Sequence, residues 1–268
     1  MSEPMRVRKA VIPAAGHGAR MRPVTLVVPK ELLPVGSRPA IHFALEELVT
    51  AGLTSVAIVI NREKELIRRY VEALTATRPF DSLCCEFLYQ DPDAGLGEAM
   101  SSCREYAAGE PFVLLLPDAI PMSPDYELSS LLETFEETQR DVIGVVECDG
   151  TQPRSCGHAG LMDYELSRPG VVEVKRLHAK HAGTLEVVPG ARILRGCGRL
   201  VCRPHIFDYI DRVRSQTGAG KLDDVPVLKR LVEEKGAVGV LVPLPVFDVG
   251  THRGYLSASA YLHSQFAP

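Results

Sequence analysis

The chain has no C-x-x-C pair, no apolar run of membrane-spanning length and no large surplus of either charge. Its seven cysteines are scattered through 268 residues and read as reduced cytosolic thiols. Cys84 and Cys85 are adjacent, so a strand would turn them to opposite faces as small apolar fillers. Lys and Arg number 30 and Asp and Glu 34, a formal charge of −4 with both signs interleaved. That balance argues against a nucleic-acid groove and against a basic patch facing a membrane. The first residues, MSEPMRVRK, are charged and lack the apolar core of a secretory signal. No internal repeat, low-complexity tract or flexible linker interrupts the chain. A cytoplasmic protein is expected. The 46% apolar content suits one large α/β domain, or one with a modest second lobe.

Three familiar glycine-loop motifs are missing as well. Gly16 and Gly18 begin a G-x-G-x-x-G fingerprint, but Met21 occupies the third glycine position. Thr217-Gly218-Ala219-Gly220-Lys221-Leu222 lacks the hydroxyl that follows lysine in a Walker loop. No H-R-D or D-F-G accompanies a kinase-type loop. What is present instead is AVIPAAGHGARMRPVTLVVPKELLPV, residues 10–35. A short apolar strand, Ala10–Ile12, runs into a loop of small residues that includes Ala14, Ala15, Gly16 and Gly18. Small residues let the backbone approach a ligand, with N–H groups turned toward an anion. Arg20 and Lys30 add fixed positive charge, which points to a polyphosphate. A plain glycine-rich turn is the alternative; the R-M-x-P and P-K-E-L-L-P that follow count against it.

Apolar runs alternate with helix-period segments. Strands are expected at Ala10–Ile12, Val56–Ile60, Cys85–Tyr89, Phe112–Leu116 and Val142–Glu147. Helices are expected from Pro39 to about Ala51, with Ser37 or Arg38 as cap and Gly52 as stop, and over Glu63–Leu74, Gly97–Tyr106 and Leu128–Arg140. This order predicts a doubly wound, mostly parallel sheet with ligands at the carboxyl ends of its strands. From about Gly150 the pattern loosens, and antiparallel strands walling a second pocket are expected there. A late helix, about Val225–Lys235, precedes a strand at Val238–Val242.

Asp118 follows the apolar run Phe112–Leu116 and Pro117, at the end of a strand where such sheets place ligands. It reads either as a carboxylate for magnesium or as a turn or capping aspartate. Asp248 is a second candidate of the same kind. Gln90 can donate to and accept from a base edge, and Gly95 opens the next helix; an ordinary polar loop is the alternative reading.

Together these elements resemble the sugar-phosphate nucleotidylyltransferases, or nucleoside-diphosphate-sugar pyrophosphorylases, most of all the bacterial UTP–glucose-1-phosphate uridylyltransferases. The opening motif G-x-G-T-R-M-x-P-x-T-x-x-x-P-K-E-x-L-P is matched by Gly16–Thr25 and Pro29–Pro34. G-L-G-H-A is matched by Gly95–Ala99, L-P-D by Leu116-Pro117-Asp118, and D-x-G-x-x-x-G-Y by Asp248–Tyr255. The resemblance covers roughly residues 8–262. It implies a Rossmann-like nucleotidyltransferase fold with a smaller sugar-binding sub-lobe. Residues 1–268 would form one domain, about 8–149 for the nucleotide and about 150–262 for the acceptor. It further implies Ala14, Ala15, Gly16, Gly18 and Pro117 along the nucleotide, and Glu31, Gln90 and Gly95 around the base. Arg20 and Lys30 would hold the triphosphate, and Asp118 and Asp248 a Mg2+ ion. Lys180 would position the sugar phosphate and Gly157 lie beside the sugar. UTP, then dTTP, would be donor, a sugar 1-phosphate the acceptor, and the protein a homo-oligomer.

The chain departs from the pattern at several positions. Ala179 stands where the family has a glutamate that hydrogen-bonds sugar hydroxyls. Ala19 replaces the loop threonine and Glu98 the histidine of G-L-G-H-A, and G-E-I-Q-L-T-D survives only as Gly220–Pro226. The expectation is therefore a divergent enzyme with an altered sugar pocket. A nucleotide-binding protein without turnover, or a transferase for a non-sugar phosphate or phosphonate, stay open as alternatives.

Overall fold

Strand β1 (Lys9–Pro13) sends alternate side chains to opposite faces, Ala10 and Ile12 into one core and Val11 into the other. The computed structural model describes residues 4–91, 93–148, 161–178, 193–218 and 220–266. After β1 come β2 (Pro34–Val35), β3 (Arg38–Pro39), α1 (Ala40–Thr50), β4 (Ser55–Ile60), α2 (Glu65–Thr75), β5 (Cys84–Tyr89), α3 (Leu96–Ser102) and α4 (Arg104–Ala107). Then follow β6 (Phe112–Leu115), β7 (Ala119–Pro121), α5 (Ser129–Thr138) and β8 (Val142–Cys148). The second half adds β9 (Leu161–Arg168), β10 (Val171–Leu177), β11 (Ile193–Cys202), α6 (Ile206–Thr217), α7 (Asp224–Lys235), β12 (Ala237–Leu241), β13 (Val246–Asp248) and α8 (His252–Phe266).

A nine-stranded sheet has the order β5-β4-β1-β6-β11-β8-β12-β10-β9. Its strands β5, β4, β1, β6, β8, β12 and β9 run one way, and only β11 and β10 are reversed. The mostly parallel, doubly wound sheet expected from the sequence is the one observed. The antiparallel strands expected after Gly150 are β9, β10 and β11, and they join this same sheet. From β1 the chain steps outward through β4 to β5, then returns to β6 on the other side of β1. That reversal makes the carboxyl ends of β1 and β6 a topological switch point, where crevices form.

Helices cover both faces. Ile41, Leu45 and Leu48 of α1 pack with Ile67 of α2 and Phe135 of α5 on one side. Met100 of α3, Ile210 of α6 and Leu231 of α7 pack on the other. Burying each such side chain contributes about 1.5–3 kcal/mol. Helix α1 ends as Gly52 predicted. Gly52 takes φ +73°, its N–H donates to Val49 O at 3.1 Å, and Leu53 N–H donates to Leu48 O at 2.9 Å.

Two local expectations are corrected. Pro39 does not open the first turn of α1; with ψ 150° it is the capping residue, paired into the β2–β3 ladder. The single helix expected over Gly97–Tyr106 divides at Cys103, whose N–H turns back to Met100 O at 3.1 Å. Among the described residues no helix is long and apolar enough to cross a membrane. Five cysteines are described as free thiols, with Cys84 exposed and Cys103, Cys197 and Cys202 buried.

Candidate active site

The loop after β1 is tied down from beneath. Ala14 N–H donates to Val59 O at 2.7 Å, extending the parallel ladder. Lys64 Nζ donates to Ala14 O at 2.8 Å, and Asn61 Nδ2 to Ala15 O at 2.5 Å. Both anchors follow β4, and Asn61 Oδ1 also caps its own turn by accepting from Glu63 N–H at 2.8 Å. Sequence reasoning missed both; the available signal was an asparagine directly after a buried strand. A side chain added at Gly16 would meet nothing within 4 Å, so the backbone there faces open space. Gly18 takes φ +69°, and Thr25 Oγ1 donates to its carbonyl at 2.9 Å. Met21, 1% exposed, roots the next turn in the core and leaves Arg20 at the rim.

Glu31, which the resemblance placed near the base, is fully buried below this loop. Its Oε2 accepts from Lys64 Nζ at 2.7 Å, while Oε1 has no partner. Burial lowers the pKa of Lys64 despite the opposing pull of Glu31.

The two candidate carboxylates meet because β7 pairs with β13. That register sets Asp248 opposite Ala119, and Val249 N–H donates to Asp118 O at 2.8 Å. Lys30 Nζ donates to Asp118 Oδ2. Arg20 Nη1 donates to Asp248 Oδ2 at 3.2 Å, and Gly250 N–H to Asp248 Oδ1 at 3.0 Å. A Cβ at Gly250 would lie 2.6 Å from Asp118 Oδ2, 3.0 Å from Asp248 Oδ1 and 3.1 Å from an Arg20 guanidinium nitrogen. The absent side chain therefore leaves a cradle between two carboxylates and a cation. Burial alone would raise the Asp118 carboxyl, but Lys30 and Arg20 outweigh it and hold it below its ordinary range. For Lys30, burial works downward, and Asp118 and Glu31 outweigh it to raise its pKa.

This donor set fits a magnesium ion. Mg2+ is commonly held by one or two carboxylates, with substrate phosphates and water completing its shell. Among the described residues no group of three or more His, Cys, Asp or Glu forms a self-sufficient metal cage.

Below Asp118 lies a brace that the sequence did not announce. Arg199 of β11, 1% exposed, donates to Leu116 O at 3.1 Å and to Ala119 O, the carbonyls that flank Asp118. Its Nε reaches Glu47 Oε2 at 3.1 Å, where Tyr126 Oη also donates at 3.0 Å. The one sign was an arginine inside an apolar strand pattern.

Gln90 and Gly95 stand on the facing rim. Gln90 Nε2 donates to Gly95 O at 2.8 Å, and its buried Oε1 has no partner. Gly95 takes φ +96°, and a Cβ there would lie 2.3 Å from Leu222 O. Leu222 N–H donates to Ala94 O and Gly97 N–H to Leu222 O, both at 2.9 Å. Residues 220–226 thus clamp this rim rather than serving only as a helix start. Glu98 pairs with Arg214 of α6. His17 Nε2 faces Asp93 Oδ1 at 3.8 Å across the two rims.

The D-x-G-x-x-x-G-Y motif is a packing constraint. A Cβ on Gly254 would lie 1.9 Å from Asp248 O, and Tyr255 Oη donates to Pro34 O at 2.9 Å. A cavity of about 210 Å³ runs from Arg20, Asp118 and Asp248 between the sheet and helices α3 and α7. Gly157, Ala179 and Lys180 lie outside the described residues.

The family model for nucleotidyl transferase matches residues 9–265. The chain is 32% identical over 273 residues to a UTP–glucose-1-phosphate uridylyltransferase of Staphylococcus haemolyticus (strain JCSC1435), covering 95% of this chain and 91% of that one. It is 28% identical over 272 residues to UTP–glucose-1-phosphate uridylyltransferase 1 of Staphylococcus saprophyticus, covering 95% and 92%. A crystal structure of UDP-glucose pyrophosphorylase with UDP-glucose superposes with a TM-score of 0.84 at 26% identity, over 97% of this chain and 99% of the other. With its switch-point loop, its paired carboxylates and a match running nearly end to end, the chain belongs to the nucleotidyl transferase family.

Proposed function

We propose that this enzyme transfers UMP from UTP to a sugar 1-phosphate, releasing pyrophosphate, with Mg2+ held by Asp118 and Asp248. The observation that carries the reading is the convergence of Asp118, Asp248 and Arg20 on the bare backbone of Gly250. The names of the relatives support uridine as the base and a sugar phosphate as the acceptor.

An oxygen of the acceptor phosphate bonds to the α-phosphorus of UTP. In line with it, the bond from that phosphorus to the α,β-bridging oxygen breaks, and pyrophosphate leaves with the electron pair. No covalent enzyme intermediate is required. When bound, magnesium supplies charge neutralisation between the two reacting phosphates. The chain's own part is electrostatic. Arg20 and Lys30, the counter-charges of the carboxylates, stabilise the charge that develops on pyrophosphate. The unpartnered Oε1 of Gln90 suits an N–H donor on the base edge. Lys180 holds the acceptor phosphate and Gly157 adjoins the sugar, following the resemblance. Ala179 leaves sugar hydroxyls without a carboxylate reader, so the acceptor differs from plain glucose 1-phosphate.

Pyrophosphate release over a panel of UTP and dTTP against sugar 1-phosphates, with Mg2+, tests the reading. UTP with at least one sugar 1-phosphate gives release. Tight nucleotide binding without release for any pair would make this a binding protein instead.

A further inference from the structure

Arginine is seldom fully buried, yet Arg199 is 1% exposed within β11. Its neighbours settle which face of the strand it takes. Cys197 and Val201 enter the core under α1 and α5, while Leu200 enters the opposite one. A Cβ added at Gly144 of β8 would lie 3.1 Å from Arg199 Cβ and 3.3 Å from Leu131 Cδ2 of α5. The guanidinium therefore stands on the side of α1, where the Glu47 carboxylate accepts from both Nε and Nη2. Tyr126 Oη donates to the Glu47 oxygen that Nε also reaches. Two parallel hydrogen bonds to one carboxylate fix the plane of a guanidinium.

Glu47 thereby aims the remaining nitrogen, Nη1. It donates to Leu116 O at 3.1 Å and to Ala119 O. These carbonyls begin and end a four-residue turn, closed by Ala119 N–H donating to Leu116 O at 3.2 Å. Asp118 is the third residue of that turn. Gly198, beside Arg199, accepts from Leu116 N–H at 2.8 Å. It takes φ +76°, and a Cβ on it would lie 2.9 Å from both Leu116 Cβ and Ala119 Cβ. These hydrogen bonds go to the backbone of the turn, whereas the Asp118 carboxylate itself is met by Lys30. Stability does not account for the arrangement, because a buried ion pair gains little over apolar residues of the same size. What it supplies is a fixed orientation.

We infer that Arg199 is a positioning residue for the transfer, held in place by Glu47 and Tyr126: it sets the Leu116–Ala119 turn so that the Asp118 carboxylate faces the cradle at Gly250. This rests on the metal-holding role of Asp118 proposed above. Groups that orient a ligating side chain are worth about 10–10²-fold in metal affinity or activity.

The test compares wild type with Arg199→Lys and with an apolar brace, Arg199→Met/Glu47→Leu/Tyr126→Phe. Pyrophosphate release from UTP and an accepted sugar 1-phosphate is measured against Mg2+ concentration. Mn2+ binding to the protein alone is followed by electron paramagnetic resonance, and hydrogen exchange is followed at the Ala119 amide. The apolar brace keeps its fold by circular dichroism. Its half-saturating Mg2+ rises by about tenfold or more, with KM for the sugar phosphate unchanged. Its Mn2+ binding weakens and Ala119 exchanges faster. Arg199→Lys keeps the charge without the fork and shows the same losses; it decides by the same readouts if the apolar brace does not fold. Wild-type Mg2+ dependence in the folded apolar brace, even with faster exchange at Ala119, makes the brace structural only and overturns the inference. Wild-type behaviour of Arg199→Lys assigns the effect to charge and overturns it too. If wild type itself releases no pyrophosphate, the transfer reading fails and Mn2+ binding decides. Weaker Mn2+ binding in both variants than in wild type supports the positioning role, and equal binding overturns it.

Discussion

Asp248 stands opposite Ala119 in the short ladder of β7 and β13, and this register brings its carboxylate beside that of Asp118. Neither residue is a site alone. Asp118 is delivered by the end of β6, the fourth strand to enter the parallel half of the sheet, and Asp248 comes from β13, after the last strand of the large sheet, β12. Gly250 keeps the space between them clear.

Gly250→Ala tests that space. The glycine does not occupy the left-handed region, so alanine brings no backbone penalty, only a Cβ 2.6 Å from Asp118 Oδ2. Pyrophosphate release falls by about 10²-fold or more while the melting temperature changes little. Unchanged turnover would show that the cradle plays no part.

Lys30→Met tests the charge balance at Asp118. The Asp118 carboxyl is depressed in the folded protein, because Lys30 and Arg20 outweigh its burial. Its contribution to stability is therefore present above the unfolded value of about 3.9 and is lost as pH falls through the lower folded value. Lys30 is raised, so its contribution is present below about 10.4 and is lost as pH rises through the higher folded value. Without Lys30, burial acts on Asp118 with less opposition, and its carboxyl moves upward. Thermal melts between about pH 3 and about pH 8 show the acid limb shifted to higher pH in the variant. Superimposable pH profiles would contradict the pairing.

Lys64 and Glu31 form a buried pair, 7% and 0% exposed at their side chains. Lys64→Met strands the Glu31 carboxylate and costs about 3–5 kcal/mol in denaturant unfolding. Adding Glu31→Gln restores most of that loss, because the uncompensated charge is gone. Additive losses in the double variant would exclude the pair as the cause.

Thiol chemistry reports the same burial. Burial pushes Cys85 and Cys197 up to about 11 and Cys103 up to about 12. Cys84 is exposed. Peptide mapping after brief alkylation at neutral pH finds Cys84 modified well before Cys85, Cys103 and Cys197. Early modification of Cys103 would contradict the packing of α3.

The sheet was legible because β1, β4, β6 and β8 are short, mostly apolar runs between turn signals, the pattern of strands covered on both faces. Asp118 and Gln90 were legible because each follows such a strand. The meeting of Asp118 with Asp248 was not, since the β7–β13 register pairs segments far apart in the chain. Asn61, Lys64, Glu47 and Arg199 escaped for another reason. Each works through backbone carbonyls or a buried partner, and a lone polar residue carries no local periodicity to mark it. The break at Cys103 escaped because Gly97–Tyr106 keeps a helical apolar face across it.

The most direct measurement is Mg2+-dependent pyrophosphate release from UTP and an accepted sugar 1-phosphate by wild type, Asp118→Asn and Asp248→Asn. Each variant keeps the size of the side chain and removes its charge. Release falls by at least about 10²-fold in both, with the fold intact by circular dichroism. Turnover at the wild-type rate in either variant would contradict the assignment of that carboxylate to the reacting centre.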